Sequence, residues 1–364
     1  MEGVAILGST GSIGRSALNV LDRHRDRFRV VALTAGANAV LLAEQIAEWR
    51  PGFAALVSST GPGCLLEAAT HPDASIVVNA VVGFAGLEAT LAALRAGKRV
   101  ALANKESLVV AGDLVRRAAA EGGGELVPVD SEHSAVLQCV AGREHAIRRL
   151  ILTASGGPFR DWSSERLAAA TVAEALNHPT WRMGSKVTVD GATLANKAME
   201  VIEAHHLFGL GFERVDVVVH PQSIVHGFVE FEDGSVLGQL GFPSMELPIL
   251  YALTHPERLA DCGVRAFDPV AAGPLTFEPV RREAFPAFQV GVEAGRAGGT
   301  APAAFNAANE VAVGAFLAGR IPFGRIAEVI EATLAAEAPE PAGSLDQVRG
   351  ADARARSHAE RLAR

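Results

Sequence analysis

The 364-residue chain contains few lysines, three cysteines and no long uninterrupted apolar run. Its apolar stretches, such as residues 76–87, are broken by polar residues or glycines and are too short to span a bilayer. The cysteines, Cys64, Cys139 and Cys262, lack metal or redox spacing, so we expect buried free thiols. Residues 1–8 already read as a strand, which leaves no room for the basic start and long apolar region of a signal peptide. We therefore expect no signal peptide, no membrane partner and a cytoplasmic location.

The net charge of −8 and the lack of any basic block argue against nucleic acid as a partner. A composition of 49% hydrophobic and 20% charged residues is typical of a globular protein, and the length predicts two or three domains. Only four of the 33 basic residues are lysines: Lys98, Lys105, Lys186 and Lys197. A lysine retained in an arginine-rich chain can mark a need for a compact ammonium group, although chance retention is favoured for Lys98.

The N-terminal residues follow the order strand, glycine-rich turn, helix and strand. The turn reads Gly8-Ser-Thr-Gly11-Ser-Ile-Gly14, and the second predicted strand covers residues 28–34. Glycines there let a pyrophosphate approach the backbone, and the helix start supplies amides; the alternative is a structural turn without a nucleotide. Ala35-Gly-Ala-Asn38 then offers neither an acid for NAD nor a cation for the 2′-phosphate of NADP. The residues alone therefore leave both cofactors open.

Further strands and helices alternate, which indicates a doubly wound parallel sheet that binds ligands at the carboxyl ends of its strands. Strands are predicted at 53–57, 75–79, 98–103 and 124–129, and helices near 39–50, 62–70, 86–96 and 107–121.

Two of these strand ends are polar, at Asn104-Lys105-Glu106 and at Asp130-Ser131-Glu132. Each could simply begin a helix, where polar and acidic residues are favoured. On an extended segment, however, Asp130 and Glu132 would point the same way, and Glu200 could supply a third carboxylate. This set favours Mg²⁺ or Mn²⁺.

The second half of the chain has a different pattern. A strand at 150–159 ends in a Ser-Gly-Gly turn that is either a phosphate site or an ordinary turn. Residues 178–184 read as a loop that enters a strand at 186–190, and a helix follows from about 193 to 208. Asp233-Gly234 predicts a hairpin. The hairpin indicates an α+β domain with a largely antiparallel sheet. The exposed face of such a sheet commonly pairs subunits.

We predict a fold of class α/β plus α+β. A Rossmann-like domain covers residues 1–125, and a central catalytic and dimerisation domain with a mostly antiparallel sheet covers 126–262. A linker at 263–287 precedes a C-terminal helical domain at 288–364.

Eight motifs together resemble those of the 1-deoxy-D-xylulose 5-phosphate reductoisomerase family, in the same order. They are Gly8 to Gly14, Asn104-Lys-Glu106, Val129-Asp-Ser-Glu-His-Ser134, Ser155-Gly-Gly-Pro-Phe159, His178-Pro-x-Trp181-x-Met183-Gly184, Asn196-Lys197 with Glu200, His220-Pro-Gln-Ser-Ile-Val-His226 and Asn306-Ala-Ala-Asn-Glu310. The resemblance covers nearly the whole chain. It implies a homodimer that uses NADPH and a divalent metal to convert a sugar phosphate in isoprenoid biosynthesis.

The resemblance also implies a role for each matched residue. Metal ligands would be Asp130, Glu132 and Glu200. Substrate would contact Lys105, Ser131, Glu132, Ser155, His178, Gly191, Asn196, Lys197 and Glu200. NADPH would contact Thr10, Gly11, Ser12, Ile13, Gly36, Ala37, Asn38, Asn104, Glu106 and Gly184. Catalysis would involve Lys105, Glu132 and His178, with Trp181 and Met183 in a flap that closes over the sugar.

Four positions depart from the family pattern: Gly191 replaces a serine, Ala37 replaces a basic residue, and Ala198-Met199 replaces Gly-Leu. Two alternative functions stay open on the residues alone. One is a homoserine-dehydrogenase-like oxidoreductase, which the complete set of metal carboxylates and the flap disfavour. The other is a catalytically silent NADPH sensor, which would need neither Lys105 nor a metal site.

Overall fold

The computed structural model describes residues 1–364, which form eleven strands and seventeen α-helices. The strands are β1 (Glu2–Leu7), β2 (Phe28–Ala35), β3 (Phe53–Leu56), β4 (Ile76–Asn79), β5 (Arg99–Leu102), β6 (Glu125–Pro128), β7 (Ile147–Ala154), β8 (Val215–Val219), β9 (Val225–Phe231), β10 (Val236–Leu240) and β11 (Glu278–Pro279). The helices are α1 (Ser12–Arg23), α2 (Ala39–Trp49), α3 (Val57–Thr60), α4 (Gly63–Ala69), α5 (Leu87–Arg95), α6 (Lys105–Gly122), α7 (Ser131–Val140), α8 (Ser164–Ala168), α9 (Val172–Ala175), α10 (Ser185–Thr193), α11 (Ala195–Phe208), α12 (Glu246–Thr254), α13 (Pro269–Ala272), α14 (Pro286–Ala297), α15 (Ala301–Leu317), α16 (Arg325–Ala336) and α17 (Leu345–Leu362). No helix combines the length and the apolar character that a membrane span requires.

The first compact unit contains Met1–Ser107, Asp113–Leu137 and Ser244–Ala266. Its six strands pair in the order β3-β2-β1-β4-β5-β6, and every pairing is parallel. This confirms the predicted doubly wound sheet. The strand order reverses between β1 and β4, and a ligand crevice is expected at such a reversal.

A segment from far along the chain completes the first unit. Helix α12 packs on α1 and on strands β5 and β6, and its residues from Pro248 to Thr254 are buried. The Arg23 guanidinium donates to Glu246 and to Asp261, each at 2.7 Å. The core of this unit therefore includes Ile249 and Leu253 beside the strand residues of the sheet.

The second compact unit contains Leu108–Gly112, Gln138–Pro243 and Phe267–Arg364. Its five strands pair in the order β10-β9-β7-β8-β11, antiparallel except for β7 with β8. Gly234 (φ +83°) lies in the β9–β10 turn, as the hairpin signal predicts. Helices α14 to α17 form a helical C-terminal region. The predicted fold class is confirmed.

Three local predictions are wrong. Residues 186–190 lie in helix α10 and not in a strand, because Lys186 and Asp190 pair one helical turn apart while Val189 is buried. Residues 130–132 are not extended, since α7 begins at Ser131 and Glu132 lies in its first turn. The cysteines are all free, but Cys262 is exposed.

Candidate active site

The turn after β1 and the first turn of α1 each require a glycine. Gly8 has φ +84°, and a Cβ there would lie 2.7 Å from the carbonyl oxygen of Ala80. A Cβ on Gly14 would lie 2.4 Å from the carbonyl oxygen of Gly8. No side chain caps the start of α1, and its first turn holds no acidic residue. The amides of this turn, which includes Thr10 to Ile13, are therefore suited to bind a phosphate.

The end of β2 exposes Gly36, Ala37 and Asn38. The Asn38 side chain caps α2 by accepting a hydrogen bond from the amide of Leu41 at 3.1 Å. The carbonyl of Gly36 accepts from the amide of Ser58 at 2.9 Å. This edge thus offers backbone amides and the Asn38 carboxamide, and position 37 contributes no cation.

Asn104 and Glu106 are buried and hold the loop that follows β4. The Asn104 amide donates to the carbonyls of Val81 (2.8 Å) and Gly83 (2.9 Å), and its oxygen accepts from the amide of Ser107 at 3.2 Å. Glu106 accepts from the amide of Gly83 at 3.0 Å. Both residues therefore shape the loop at the carboxyl end of the sheet.

A lysine and two carboxylates lie where β5 and β6 lead into α6 and α7. The Lys105 ammonium lies 2.6 Å from Asp130 Oδ2, and both side chains are largely buried. Ser131 Oγ donates to Glu132 Oε2 at 2.6 Å. The carboxylates are hard oxygen donors of the type that Mg²⁺ and Mn²⁺ bind.

In the second unit, Ser155 and His178 are joined by a hydrogen bond. Ser155 follows β7, and its Oγ lies 3.0 Å from His178 Nε2. His178 Nδ1 accepts from the backbone amides of Thr180 at 3.1 Å and Trp181 at 2.9 Å. Since Nδ1 is an acceptor, the proton of the neutral ring is on Nε2, which donates to Ser155.

This arrangement leaves the Ser155 hydroxyl proton available. Ser155 Oγ also accepts from the amide of Gly157 at 3.2 Å. An oxygen that accepts twice can still donate its own proton, for example to a phosphate oxygen. Burial lowers the pKa of His178, which keeps the ring neutral. The pair therefore presents a directed donor to an anion.

The flap predicted at 178–184 carries a half-buried indole. The Trp181 ring lies 6.4 Å from the ring of His226, centroid to centroid, and His226 is buried on β9. Met183 is half-buried, while Gly184 is exposed and immediately precedes α10. The alternating position of His226 on its strand is compatible with a core histidine as well as with a site residue.

Helix α11 presents Asn196, Lys197 and Glu200 on one face, as their spacing predicts. Asn196 Nδ2 and Lys197 Nζ both donate to the Glu200 carboxylate. Lys197 Nζ also donates to the carbonyl of Thr153 at 2.5 Å, two residues before Ser155. Lys197 and Glu200 are both buried, and each compensates the charge of the other.

Gly191 lies close to the Ser155–His178 pair. A Cβ added at this position would lie 3.8 Å from His178 Cδ2. A Cβ on Gly157 would lie 2.7 Å from the carbonyl oxygen of Gly191, so these two backbones are in contact. The second unit therefore brings Ser155, His178 and position 191 together, as their shared predicted role requires.

The other prominent histidine is structural. His220 is fully buried, its Nδ1 donates to the carbonyl of Thr276 at 2.8 Å, and its Nε2 accepts from the amide of Ile224 at 3.1 Å. Its ring stacks on Phe277 with centroids 4.6 Å apart. Both ring nitrogens are therefore occupied by the backbone.

Three family models match the chain. The model for 1-deoxy-D-xylulose 5-phosphate reductoisomerase matches residues 4–61 and 57–112. The model for the C-terminal domain of the same enzyme matches residues 126–208, and the DXP reductoisomerase C-terminal domain model matches 240–358.

The chain is similar over its full length to curated relatives. It is 49% identical to the 1-deoxy-D-xylulose 5-phosphate reductoisomerase of Ralstonia nicotianae, over 99% of this chain and 98% of the relative. It is 47% identical to that of Geobacillus kaustophilus over the whole of both chains.

Solved structures give the same result. A DOX-P reductoisomerase in complex with NADPH, fosmidomycin and magnesium has a TM-score of 0.95 at 39% identity, covering 100% of this chain and 98% of the other. The enzyme from Zymomonas mobilis in complex with NADPH has a TM-score of 0.91 at 41% identity, covering 100% and 99%. This chain belongs to the 1-deoxy-D-xylulose 5-phosphate reductoisomerase family.

Proposed function

We propose that this protein converts 1-deoxy-D-xylulose 5-phosphate to 2-C-methyl-D-erythritol 4-phosphate with NADPH and Mg²⁺ or Mn²⁺. The observation that carries the proposal is the full-length match, at about half identity, to curated enzymes named for this reaction. Complexes of structural neighbours with NADPH and magnesium support the same cofactors.

Asp130, Glu132 and Glu200 are the proposed metal ligands. Their oxygen donors fit a hard divalent cation, and lysine ammonium groups already compensate Asp130 and Glu200. When bound, the cation polarises the substrate carbonyl and lowers the pKa of the neighbouring hydroxyl. A cation at these carboxylates would leave Lys105 and Lys197 available to the substrate.

The substrate phosphate would be held by donors of the second unit: Ser155, His178, Asn196 and Lys197, with the backbone of Gly191. Neutral donors together with one ammonium suit a phosphate. Lys105, Ser131 and Glu132 would contact the reacting end of the sugar. Lys105 is the group we assign to proton transfer or to stabilisation of the developing anion.

The carbon skeleton is rearranged before it is reduced. Loss of the 4-hydroxyl proton breaks the C3–C4 bond and gives a three-carbon enolate and a two-carbon aldehyde phosphate. A new C2–C4 bond would give a branched aldehyde, whose reduction to the alcohol needs a proton and the hydride that a bound NADPH would supply. A flap that carries Trp181 and Met183 would keep water out and the fragments in.

NADPH would bind at the glycine turn and at the two neighbouring strand ends of the first unit. The proposed contacts are Thr10, Gly11, Ser12, Ile13, Gly36, Ala37, Asn38, Asn104 and Glu106, with Gly184 from the flap. The uncapped, acid-free start of α1 supports a pyrophosphate there.

We also propose a cytoplasmic homodimer and a division into domains at 1–125, 126–262 and 288–364, with the 263–287 linker between the second and the third. Free cysteines suit a reducing compartment. The edge strand β10 exposes Val236 and Leu237, which a second copy could cover. Light scattering should give about twice the mass of one 37.9 kDa chain, and a monomer would refute the dimer.

Glu200→Gln tests the metal assignment. The variant should lose Mg²⁺-dependent turnover by at least about 100-fold, because a ligand charge is removed, while NADPH fluorescence titration gives an unchanged Kd. Glu293→Gln on α14, where the side chain is exposed, is the matched control and should keep full activity. Normal turnover in Glu200→Gln would show that Glu200 is not a ligand.

A further inference from the structure

Asp190 is a fully buried carboxylate without a role in the proposed chemistry. It lies near the end of α10, directly before Gly191. Its two oxygens have different partners: Lys186 Nζ lies 2.8 Å from Oδ2, and Asn309 Nδ2 donates to Oδ1 at 2.8 Å. Lys186 is one of the four lysines, and Asn309 comes from helix α15, 119 residues away.

Such a network is weak as a source of stability. Apolar residues of similar volume stabilise a core at least as well as a buried ion pair. The contribution of these contacts is to orientation, because the ammonium and the amide hold the two oxygens of the Asp190 carboxylate in place. The Asn309 hydrogen bond therefore ties α10 to α15, while Lys186, on the same helix as Asp190, holds the other carboxylate oxygen.

Gly191, the residue after Asp190, connects this orientation of α10 to the Ser155–His178 pair. The Gly191 carbonyl touches the backbone of Gly157, whose amide donates to Ser155. Position 191 also faces the ring of His178. A rotation of α10 would separate position 191 from both groups.

The start of α11 depends on the same anchor. The Gly191 carbonyl accepts from the amide of Leu194, whose left-handed backbone (φ 59°) joins α10 to α11. Asn196 and Lys197 follow within three residues. Asp190 thus lies on the helix that connects the flap, which precedes α10, to α11, which follows it.

We propose that Asp190 is a positioning residue for the phosphate pocket, held by Lys186 and by Asn309 of the C-terminal helices. The inference rests on the proposed function in one respect, namely that Ser155, His178 and position 191 bind the phosphate of the substrate. The C-terminal helices then contribute to phosphate affinity without touching the phosphate.

Asn309→Leu is the first test, with Asn306→Leu as its matched control. Both asparagines are fully buried on α15, but Asn306 donates within its own helix, to Glu310 at 3.0 Å. Asn309→Leu should weaken binding of inorganic phosphate and raise KM for the sugar phosphate by up to about tenfold, since the lost hydrogen bond to the charged Asp190 acts on the phosphate only through position 191. Its NADPH Kd should be unchanged, and Asn306→Leu should keep KM and phosphate affinity.

The reciprocal exchange is the second test. Asn309→Asp places two carboxylates together, and adding Asp190→Asn restores one carboxylate and one amide. The double variant should regain most of the phosphate affinity that Asn309→Asp loses. Equal phosphate loss in Asn306→Leu and Asn309→Leu, or no rescue by the exchange, would overturn the proposal and leave a general packing role.

Phosphate binding separates this inference from the proposed function. If the wild-type protein binds inorganic phosphate but does not turn over the sugar phosphate, the proposed reaction fails while the comparison of variants still tests the positioning role. If a leucine variant does not fold, Lys186→Gln, on the same network, replaces it and should weaken phosphate binding by a smaller factor.

Discussion

At the scale of single residues, the phosphate pocket depends on which atoms carry protons. The two backbone amides that donate to His178 Nδ1 direct its Nε2 proton to Ser155. Ser155 in turn is left with one proton to donate. Gly191 is the residue of this pocket that departs from the family pattern, and it lies beside the His178 ring with room for a side chain.

Gly191→Ser should therefore tighten phosphate binding. A Cβ at this position makes only ordinary contacts, and the new hydroxyl adds a donor beside His178. One hydrogen bond from a hydroxyl to a charged phosphate corresponds to an affinity gain of at least about tenfold, which phosphate competition against turnover would measure. Gly191→Ala, the matched control, should raise the melting temperature through helix propensity but leave phosphate affinity unchanged. Equal affinities in both variants would contradict the account.

His178 should give the protein a specific pH dependence of stability. Burial lowers its pKa below the ordinary 6.5, so just below pH 6.5 the unfolded chain binds more protons than the folded chain. The free energy of unfolding contributed by His178 therefore falls as pH falls from 6.5 toward the lowered pKa.

Urea unfolding of the wild type and of His178→Gln across pH 5 to 8 measures this contribution. The difference in free energy between the two proteins should be constant well above pH 6.5 and should shift in favour of the variant below it. A difference that is independent of pH would show that burial does not lower the pKa of His178 in the folded protein.

At the scale of elements, the errors of prediction have a common cause. Residues 186–190 alternate polar and β-branched side chains, which favours a strand locally, yet they form α10 because tertiary contacts bury Asp190 and Val189. The helices that start with asparagine caps, α2 and α6, were predicted nearly to the residue. Local signals thus located caps and turns, while tertiary burial decided an ambiguous segment.

The two asparagine caps should differ in their contribution to stability. Asn104 is buried and bonds three backbone groups of two elements, whereas Asn38 is exposed and accepts one bond. Asn104→Ala should lower the free energy of unfolding by about 2–4 kcal/mol, because the carbonyls of Val81 and Gly83 lose their donor, and Asn38→Ala by about 1 kcal/mol. Urea titrations measure both values, and equal losses would refute the role of Asn104 in holding the 81–83 loop.

At the scale of the whole molecule, the motifs identified the family and the order of strands and helices identified the fold class. The sequence could not reveal that Ser244–Ala266 belongs to the first compact unit, because Arg23 and Asp261 meet 238 residues apart. The contact between Asp190 and Asn309 was hidden for the same reason. Patterns in one sequence report local geometry, and long-range polar contacts leave no periodic trace.

The most direct measurement of the central claim is product formation by the purified full-length chain. Incubation with 1-deoxy-D-xylulose 5-phosphate, NADPH and Mg²⁺ should yield 2-C-methyl-D-erythritol 4-phosphate, identified by NMR, in a 1:1 ratio to the NADPH oxidised. Chelation of the metal with EDTA should stop both processes together. NADPH oxidation without the branched product, or formation of that product at an undiminished rate in EDTA, would contradict the proposed reaction.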